Sequence, residues 1–430
     1  NGFCSLMNGG LSMVEMKRKY KKSEYGLIPV DWKEGTFADF LEGFSAGATP
    51  YRGITSNFKG KIKWISSGEL NYNRINDTIE HISEEAFTKT SLKIHPEGTF
   101  LMAITGLEAA GTRGRCAFVG NPAATNQSCM AIYPTDKMIN EYLYYFYRKY
   151  SEILANKYCQ GTKQKSYTSN IVKLLPIVCP PSIKEQASIA AALSDVDSLI
   201  SALTKKIEKK KAIKQGLMQQ LLTGKKRLPG FCGDWIKKNV SSVSDIFRGG
   251  SPRPIENYIV KSGGVNWIKI GDVDSSAKYI FRTNEQIIES GIQYSRFVHS
   301  GDLLLSNSMS FGRPYILKTE GCIHDGWLVI QNYDKYFDKE FLYYLLGSDE
   351  VLKQYKSLAA GSSVLNLNKD IVGKVVLYFP PSISEQTTIA NILSDCDSEI
   401  AALEEKRDKY KEIKQGMMQQ LLTGKIRLIK

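Results

Sequence analysis

The side chains best suited to chemistry in this sequence are hydrogen-bonding ones on glycine-bearing segments between predicted strands. In the major groove of DNA, Arg pairs with guanine and Asn or Gln with adenine, whereas Lys more often holds phosphates. The candidates for DNA contact in the first half are Thr49, Arg52, Arg113, Arg115, Lys163, Gln164, Lys165 and Tyr167. Those in the second half are Arg248, Ser251, Arg253, Asn307, Ser308, Arg313 and Tyr315. Any one of them could be a solvated surface side chain, but loops on a rigid scaffold usually carry recognition, so the clusters favour DNA reading.

The sequence lacks the motifs that would make the chain an enzyme by itself. A methyltransferase acting on a flipped base needs an Asn/Asp-Pro-Pro-Tyr/Phe motif, and neither Asn121-Pro-Ala-Ala nor Cys179-Pro-Pro-Ser fits. Thr223-Gly-Lys-Lys and Thr423-Gly-Lys-Ile lack the Ser or Thr that follows the Lys of a phosphate-binding loop. We therefore expect a non-catalytic chain that binds no cofactor itself, with the enzyme supplied by a partner.

Charge and composition agree with a DNA-binding protein. The net charge is +13, from 57 Lys and Arg against 44 Asp and Glu, which favours a polyanionic partner. No run of residues approaches the roughly 18 to 20 uncharged apolar residues that a membrane span needs. The eight cysteines form no C-x-x-C pair and the four histidines no H-x-x-x-H pair, so we expect neither a metal site nor a disulfide framework, and a reducing, cytoplasmic location.

The first residues do not read as part of a fold. The chain begins with Asn1, without an initiator Met or a basic-then-apolar leader, and native starts at Met7, Met13 or Met16 are equally open. We expect residues 1–23 to be a tag or a disordered extension.

Two segments of the chain recur almost unchanged. Pro180-Pro-Ser-Ile-Lys-Glu-Gln returns as Pro380-Pro-Ser-Ile-Ser-Glu-Gln, and Ile213-Lys-Gln-Gly-Leu-Met-Gln-Gln-Leu-Leu-Thr-Gly-Lys returns at Ile413 with one change. Upstream, only short anchors such as Trp64-Ile65 and Trp267-Ile268 match. The period is too long for a solenoid unit and indicates a duplicated domain with its helix. The ends of the two halves therefore do the same task, while the two middles need not.

The repeated ends are predicted to be long helices. Apolar residues follow a heptad seam at Ile189, Leu193, Val196, Ile200, Leu203 and Ile207, and again at Ile389, Leu393, Cys396, Ile400 and Leu403. Arg407 and Tyr410 then interrupt the second seam, and Gly224 and Gly424 are natural C-terminal caps. Two matched seams in one chain favour an antiparallel intramolecular coiled coil.

The fold class that follows is mixed α/β, with two repeated modules separated by two long helices and cyclic pseudo-twofold symmetry. The predicted boundaries are 24–180 and 229–380 for the modules, and 181–228 and 381–430 for the helical spacers.

In this order, the motifs resemble the specificity subunit of type I restriction–modification systems from about Glu24 onward. The residues that carry the resemblance are Pro-Pro-x-x-x-Glu-Gln at 180–186 and 380–386, the heptad runs, the tails ending at Lys225 and Lys425, Gly-Ala-Thr-Pro at 47–50, Gly-Gly-Ser-Pro at 249–252, and the loops beginning at Gly161 and Gly361. The resemblance implies two target recognition domains, each reading one half of an asymmetric bipartite site in double-stranded DNA. It also implies two methyltransferase subunits, which transfer a methyl group from S-adenosylmethionine to adenine, and restriction (translocase–nuclease) subunits as partners.

The repeated tails are candidates for binding those partners. Two identical surfaces related by symmetry suit two identical partner subunits. The predicted contact residues are Gln219, Gln220, Leu222, Lys225, Gln419, Gln420, Leu422 and Lys425. Packing of the helix ends against the neighbouring recognition domain is an equally open interpretation.

Two other functions compete with this one. A self-contained DNA methyltransferase is disfavoured by the missing motifs. A coiled-coil structural adaptor with protein-binding α/β modules fits the repeat as well, and would show no salt-dependent, sequence-specific binding to duplex DNA.

Overall fold

A computed structural model of the chain describes residues 19–108, 111–161, 165–274, 277–307, 310–360 and 366–429. The proposed starts Met7, Met13 and Met16 lie outside this range. Residues 20–23 of the expected extension are part of the fold, because Tyr20–Ser23 pairs antiparallel with Gly26–Pro29 in a hairpin. The described chain divides into two compact units: unit 1 combines residues up to Ala202 with those from Arg407, and unit 2 is Leu203–Lys406.

Unit 1 begins with the hairpin and continues through two sheets and an aromatic helix. Its strands are β1 (Tyr20–Ser23), β2 (Gly26–Pro29), β3 (Lys33–Thr36), β4 (Glu42–Ala46), β5 (Ile62–Ile65), β6 (Arg74–Ile75), β7 (Glu80–Ile82), β8 (Phe100–Ala103), β9 (Cys116–Val119), β10 (Ala124–Thr125), β11 (Cys129–Tyr133) and β12 (Pro176–Cys179). Its helices are α1 (Phe37–Phe40), α2 (Glu84–Lys89), α3 (Asn140–Tyr158) and α4 (Ser169–Leu174), followed by the long helix α5 (Ile183–Leu221), whose second half belongs to unit 2.

Unit 2 repeats this order with its own variations. Its strands are β13 (Ile236–Asn239), β14 (Asp245–Arg248), β15 (Ile259–Val260), β16 (Val265–Ile268), β17 (Tyr279–Ile280), β18 (Glu285–Ile287), β19 (Arg296–Val298), β20 (Leu303–Ser306), β21 (Pro314–Leu317), β22 (Gly321–Ile323), β23 (Trp327–Gln331) and β24 (Val376–Phe379). Its helices are α6 (Lys339–Leu346), α7 (Asp349–Ala359) and α8 (Lys369–Lys374), followed by the long helix α9 (Ile383–Leu421), whose last residues belong to unit 1.

The sheet order shows the duplication that the sequence predicted. The larger sheet runs β4-β11-β8-β9-β6 in unit 1 and β14-β23-β20-β21-β17 in unit 2, and a smaller sheet contains β10-β5-β7 in unit 1 and β22-β16-β18 in unit 2. The central strands β8 and β20 are buried at every position, as their continuous apolar runs require. Helices α3 and α6 place their Tyr, Phe and Leu side chains in the cores of their units.

The glutamine of each Pro-Pro-x-x-x-Glu-Gln motif joins the start of a long helix to its recognition module. In unit 1, the Gln186 side-chain amide donates to the carbonyls of Lys137 (2.9 Å) and Pro180 (3.0 Å), and its oxygen accepts from the Ile139 N–H (3.2 Å). Gln386 repeats the same three bonds in unit 2 with Tyr336, Pro380 and Asp338. Both side chains are fully buried, so each amide must find its partners inside the protein, and this motif supplies them.

The glutamate of the same motif binds an arginine from the tail of the other repeat. Arg427 donates to both oxygens of Glu185 and also to Asp31 (2.9 Å), and its guanidinium lies 5.9 Å from the Trp32 ring centroid. The Glu185 and Arg427 side chains are 2% and 7% exposed. The hydrogen bond to Glu185 raises the pKa of Arg427 further above its usual range. This arrangement, the arginine clasp, completes unit 1 with residues from the end of the chain.

Unit 2 contains the equivalent clasp. Arg227 donates to both oxygens of Glu385 (2.6 and 2.8 Å) and lies 5.9 Å from the Trp235 ring centroid. Gly224 and Gly424 end the two long helices with positive φ, and a Cβ on Gly424 would lie 2.5 Å from Pro29. The clasps give the Gly-Lys-x-Arg tails the same role in both halves, with Trp32 and Trp235 in equivalent places beside the arginines.

Within each unit the two long helices run antiparallel. In unit 1, Lys414 donates to Asp197 (2.6 Å), whose second oxygen accepts from Tyr145 (3.0 Å) and Arg148 (3.2 Å). In unit 2 the ion pairs are Lys214–Asp397, Lys210–Glu399 and Lys211–Glu404, and Tyr344 also donates to Asp397 (2.7 Å). Asp197 and Asp397 thus join both long helices and the aromatic helix of their unit. Arg407 and Tyr410, which interrupt the seam, are half-buried.

By length and composition alone, α5 is apolar enough to cross a membrane, with a mean hydropathy of 1.3 over its most apolar window. Its apolar side chains have another use in this structure. Ile189 and Leu193 lie in the core of unit 1, and Leu203 and Ile207 are also buried. Asp197 in the same stretch is an ion-pair partner of Lys414. Of the most apolar window of α5, 28% is buried inside the protein, so these contacts cover only part of it.

We predict that Arg427→Met destabilises unit 1 by about 3–5 kcal/mol, because it leaves the buried Glu185 carboxylate without its cation. Hydrogen–deuterium exchange of β3 and β12 measures the effect locally. Lys89→Met, which breaks the exposed Lys89–Glu85 pair, serves as the control and should change stability by less than about 1 kcal/mol. Equal protection of β3 and β12 in the Arg427→Met and Lys89→Met variants would contradict the structural role of the clasp.

Candidate nucleic-acid interface

The Gly-Ala-Thr-Pro segment of unit 1 is held tightly against the strands behind it. The Ala48 N–H donates to the Thr125 carbonyl (3.1 Å), and the Trp64 indole N–H donates to the Ala48 carbonyl (3.0 Å). A Cβ on Gly47 would lie 1.8 Å from the Thr125 oxygen, so only glycine fits there. The Thr49 hydroxyl donates to the Gln127 side chain. The backbone at the edge of the unit is therefore fixed, and the side chains that follow it project from a rigid base.

Arg52 follows this segment and is presented on the surface. Its side chain is 58% exposed, it forms two hydrogen bonds with Glu80 (2.9 and 2.8 Å), and its guanidinium lies 4.6 Å from the Phe58 ring centroid. The hydrogen bond from Arg52 lowers the pKa of Glu80, which stays ionised. Because an exposed pair of this kind contributes only about 0–1 kcal/mol, it can open at small cost to place either side chain on a base edge.

Arg113 has a different environment. Its guanidinium donates to the carbonyls of Leu107 (2.9 Å) and Glu108 (2.9 Å) and to the Glu152 carboxylate (2.8 Å), and the side chain is 15% exposed. These bonds give it a structural role in the loop. Arg115 is half-buried and donates weakly to the Gly111 carbonyl (3.5 Å).

The remaining candidates of unit 1 are divided by the fold. Lys165 is half-buried, and its carbonyl accepts from the Leu107 N–H (3.1 Å). The prediction that Tyr167 contacts DNA is corrected, because its side chain lies in the core of unit 1 and burial raises its pKa. Lys163 and Gln164 lie outside the described residues.

In unit 2, the Gly-Gly-Ser-Pro segment is fixed in the same manner around Asp325. A Cβ on Gly249 would lie 2.1 Å from the His324 carbonyl oxygen. The Ser251 hydroxyl donates to the Asp325 carboxylate (2.9 Å), and Arg248 donates to the Asp325 carbonyl (3.1 Å). Thr49–Gln127 and Ser251–Asp325 are therefore equivalent contacts, each between a Gly-x-Thr/Ser-Pro hydroxyl and the loop ahead of a central strand.

Arg253 is the most open cation of this group. Its side chain is 81% exposed and its nearest Asp325 oxygen is 3.6 Å away. Together with Ser251, Trp267, Lys269 and Asp325 it lines a cleft of about 690 Å³. The cleft offers an arginine and a carboxylate to a ligand at the edge of the unit, and Lys269 beside them is paired with Glu285 at 2.8 Å.

Two further candidates of unit 2 are internal. Asn307 is buried and donates from its side chain to the Asp325 carbonyl (2.8 Å), so it positions the Asp325 loop. The prediction that Tyr315 contacts DNA is corrected, because its ring is buried at 5.4 Å from that of Trp327. Arg313 is half-buried with its guanidinium 5.8 Å from the Tyr315 ring centroid, and Ser308 lies outside the described residues.

Sequence reasoning missed Glu80, Gln127, Lys269 and Asp325. The repeated Gly-x-Thr/Ser-Pro segment was a signal that could have located them, since each lies on a strand or loop packed against it. The halves are too different between these anchors for one sequence to align them, and acidic residues were not considered as partners of the arginines.

The predicted partner surface of the tails is smaller than expected. Leu222 and Leu422 are buried in the cores of units 2 and 1, so these two residues are corrected from partner contacts to core residues. Five of the remaining six, Gln219, Gln220, Lys225, Gln419 and Lys425, are exposed, whereas Gln420 is half-buried.

Comparison with known proteins identifies the architecture. A family model described as Type I restriction modification DNA specificity domain matches residues 29–215 and again residues 233–415. The chain belongs to this family. The putative type I restriction enzyme MjaX specificity subunit of Methanocaldococcus jannaschii is 26% identical, over 96% of this chain and 97% of its own length. The MjaVIII specificity subunit of the same organism is 24% identical, over 97% of this chain and 99% of its own length.

Solved structures share the fold of this specificity subunit. The S subunit of a type I restriction–modification system from M. genitalium has a TM-score of 0.59 at 14% identity, covering 94% of this chain and 99% of that one. A chain from a study of complex assembly and conformational transition of the type I R-M system has a TM-score of 0.57 at 17% identity, over 93% and 99%. The predicted fold class and family are confirmed, and each unit contains one of the two target recognition domains together with segments of the long helices. The comparisons give the adaptor hypothesis no support.

The strand behind the Gly-Ala-Thr-Pro segment depends on a buried histidine. His95 is 1% exposed, its Nδ1 is 2.7 Å from the Tyr133 hydroxyl, and its Nε2 is 3.4 Å from the Thr125 hydroxyl. Burial, with a smaller contribution from Lys93, lowers the pKa of His95 to about 4. The imidazole is therefore neutral at pH 7 and supports the residue that holds Ala48.

This pKa predicts a pH-dependent stability. The unfolded chain takes up a proton near the ordinary pKa of about 6.5, whereas folded His95 does so near 4. Between these two pKa values the unfolded state binds more protons than the folded state. The free energy of unfolding of unit 1 should therefore fall by up to about 3 kcal/mol as the pH falls from 7 to 4. Urea unfolding at several pH values measures this. His95→Gln should remove this contribution to the dependence of unfolding free energy on pH. His299→Gln, which replaces an exposed ring, is the control and should leave the dependence unchanged. An unchanged pH dependence in the His95 variant would refute the role given to His95.

Proposed function

We propose that this specificity subunit reads an asymmetric two-part site in double-stranded DNA, one part with each unit, and performs no bond-making step. The observation that carries the proposal is the pair of equivalent segments at Gly47 and Gly249. Each is fixed by the same backbone contacts, yet one presents Arg52 with Glu80 and the other presents Arg253 with Asp325. The same backbone arrangement carrying two different sets of hydrogen-bond donors and acceptors suits the recognition of two unlike DNA half-sites.

The chemistry of these groups supports base reading with phosphate contacts around it. Arg52 and Arg253 can donate two hydrogen bonds to guanine, and Glu80 or Asp325 can accept from cytosine. Lys269 and the excess of 13 positive charges supply contacts to phosphates, which position the protein without specifying sequence.

The enzymes of the complex are other chains in this proposal. Two methyltransferase subunits, which bind S-adenosylmethionine, dock on the exposed parts of the two repeated tails, and restriction subunits join them. One solved relative is described in terms of complex assembly of a type I system, which supports an assembling role. Free cysteines throughout the described residues agree with action in the cytoplasm.

Single-molecule methylome sequencing tests the function directly. Cells that express this chain with its cognate methyltransferase subunit are compared with cells that lack this chain. Modified adenines in one two-part, non-palindromic motif, present only with this chain, are the expected result. A complex that assembles but yields no motif, or a perfect palindrome, would refute the proposed reading.

Substitutions at the two exposed arginines separate the half-sites. Arg52→Ala and Arg253→Ala should each weaken duplex binding by about 1–3 kcal/mol and relax specificity in one half of the motif only. Lys269→Ala should weaken binding to all DNA sequences. It should also reduce by about one the slope of the logarithm of the binding constant against the logarithm of the salt concentration. Fluorescence anisotropy of the assembled complex on duplexes mutated in either half measures both effects. The control is Tyr167→Phe, which alters only a buried hydroxyl and should bind as the native chain does; relaxation of both halves by one Arg variant would contradict the division.

A further inference from the structure

The two units differ sharply where the aromatic helix meets the repeated tail. In unit 1, α3 continues without a break through Arg148 and Lys149. In unit 2, Gly347 ends α6 and Ser348 begins α7 as its N-cap, accepting from the Val351 N–H (3.4 Å). A lysine in unit 1 therefore stands near the place that an aspartate, Asp349, occupies in unit 2.

In unit 2, this aspartate binds the tail glutamines. The side-chain amides of Gln215 and Gln219 both donate to Asp349, at 2.8 and 3.3 Å. Two amide donors on one face of a helix, four residues apart, thus converge on one carboxylate supplied by the same unit.

In unit 1, the same two glutamines have no such partner among the described residues. Gln415 and Gln419 line a cavity of about 540 Å³ instead, with Arg148, Lys149 and Tyr25 on its other walls. Arg148 forms an ion pair with Asp197, and Lys414 binds the same carboxylate. Two positive side chains therefore share the single negative charge of Asp197.

Lys149 is the cationic side chain of this cavity that lacks a carboxylate partner among the described residues. Its ammonium donates to the Met418 carbonyl (3.0 Å), and none of the ion pairs of the described residues includes it. Burial, and then the nearby Lys425, lower its pKa to about 8. A half-buried cation whose partners are the neutral Met418 carbonyl and the Tyr150 ring, 5.1 Å from its ammonium, gains from an approaching carboxylate, because that charge would offset its desolvation.

We propose that the cavity of unit 1 binds the carboxylate of an acidic side chain from a partner protein, held by Lys149, Gln415 and Gln419. The inference rests on the proposed function, in which the partner is a methyltransferase subunit. Unit 2 supplies the equivalent carboxylate itself through Asp349, so its tail has no vacancy for one. The two tails, although nearly identical in sequence, therefore hold their partners by different contacts.

Carbodiimide cross-linking of the complex between the full chain and its cognate methyltransferase subunit tests the proposal. The reagent joins an amine to a carboxylate that already touches it, so an amide between Lys149 and an Asp or Glu of the methyltransferase subunit is expected by mass spectrometry. If light scattering shows that the complex assembles but this cross-link is absent, the inference is overturned while the proposed function stands. Protection of Lys149 from acylation by duplex DNA in place of the partner overturns it also, because a phosphate would then be the ligand.

Paired variants give an independent readout. Gln415→Ala should weaken one of the two partner sites about tenfold by calorimetry, while Gln215→Ala, the matched control in unit 2, should leave partner affinity unchanged. Equal effects of the two variants would refute the difference between the tails. Failure of the native chain to assemble at all overturns the proposed function, and the inference with it.

Discussion

The two units depend on a buried carboxylate that only the tail of the other repeat can neutralise. Glu185 and Glu385 begin the long helices at positions with almost no solvent contact, and Arg427 and Arg227 reach them from the ends of α9 and α5. An unpaired charge at such a site costs several kcal/mol. The antiparallel course of the helices and the glycine caps serve to bring each arginine to its glutamate, beside the rings of Trp32 and Trp235.

A fixed scaffold of this kind lets the recognition surface vary without moving its backbone. Gly47 and Gly249 press against carbonyls of neighbouring strands, so the main chain is set by packing. The side chains a few residues further on are exposed and weakly paired, as Arg52 and Arg253 show. Substitutions there change donors and acceptors at little cost in stability, which accounts for two nearly identical helical ends beside two divergent middles.

The sequence predicted the elements whose signal is periodic or repeated. The heptad runs and the duplicated tails located α5 and α9 to within a few residues, and the family motifs located the two edge segments. Burial was less accessible for Tyr167 and Tyr315, because tyrosine occurs both on surfaces and in cores. Leucine is most often buried, and the packing shows that Leu222 and Leu422 are core residues rather than partner contacts. The roles of Gln186 and Gln386 were also hidden, because their partners are backbone carbonyls about fifty residues away, and backbone groups leave no mark in sequence.

The two units differ in when their chain segments are synthesised. Unit 2 is continuous from Leu203 to Lys406, whereas unit 1 takes its final helix segment and Arg427 from residues beyond Arg407. On the ribosome, most of unit 1 is made first, yet it lacks the cation for Glu185 until the last residues emerge. Unit 2 has all of its segments before synthesis ends. The module that is translated first is therefore the one that receives its last segment, and with it Arg427, latest.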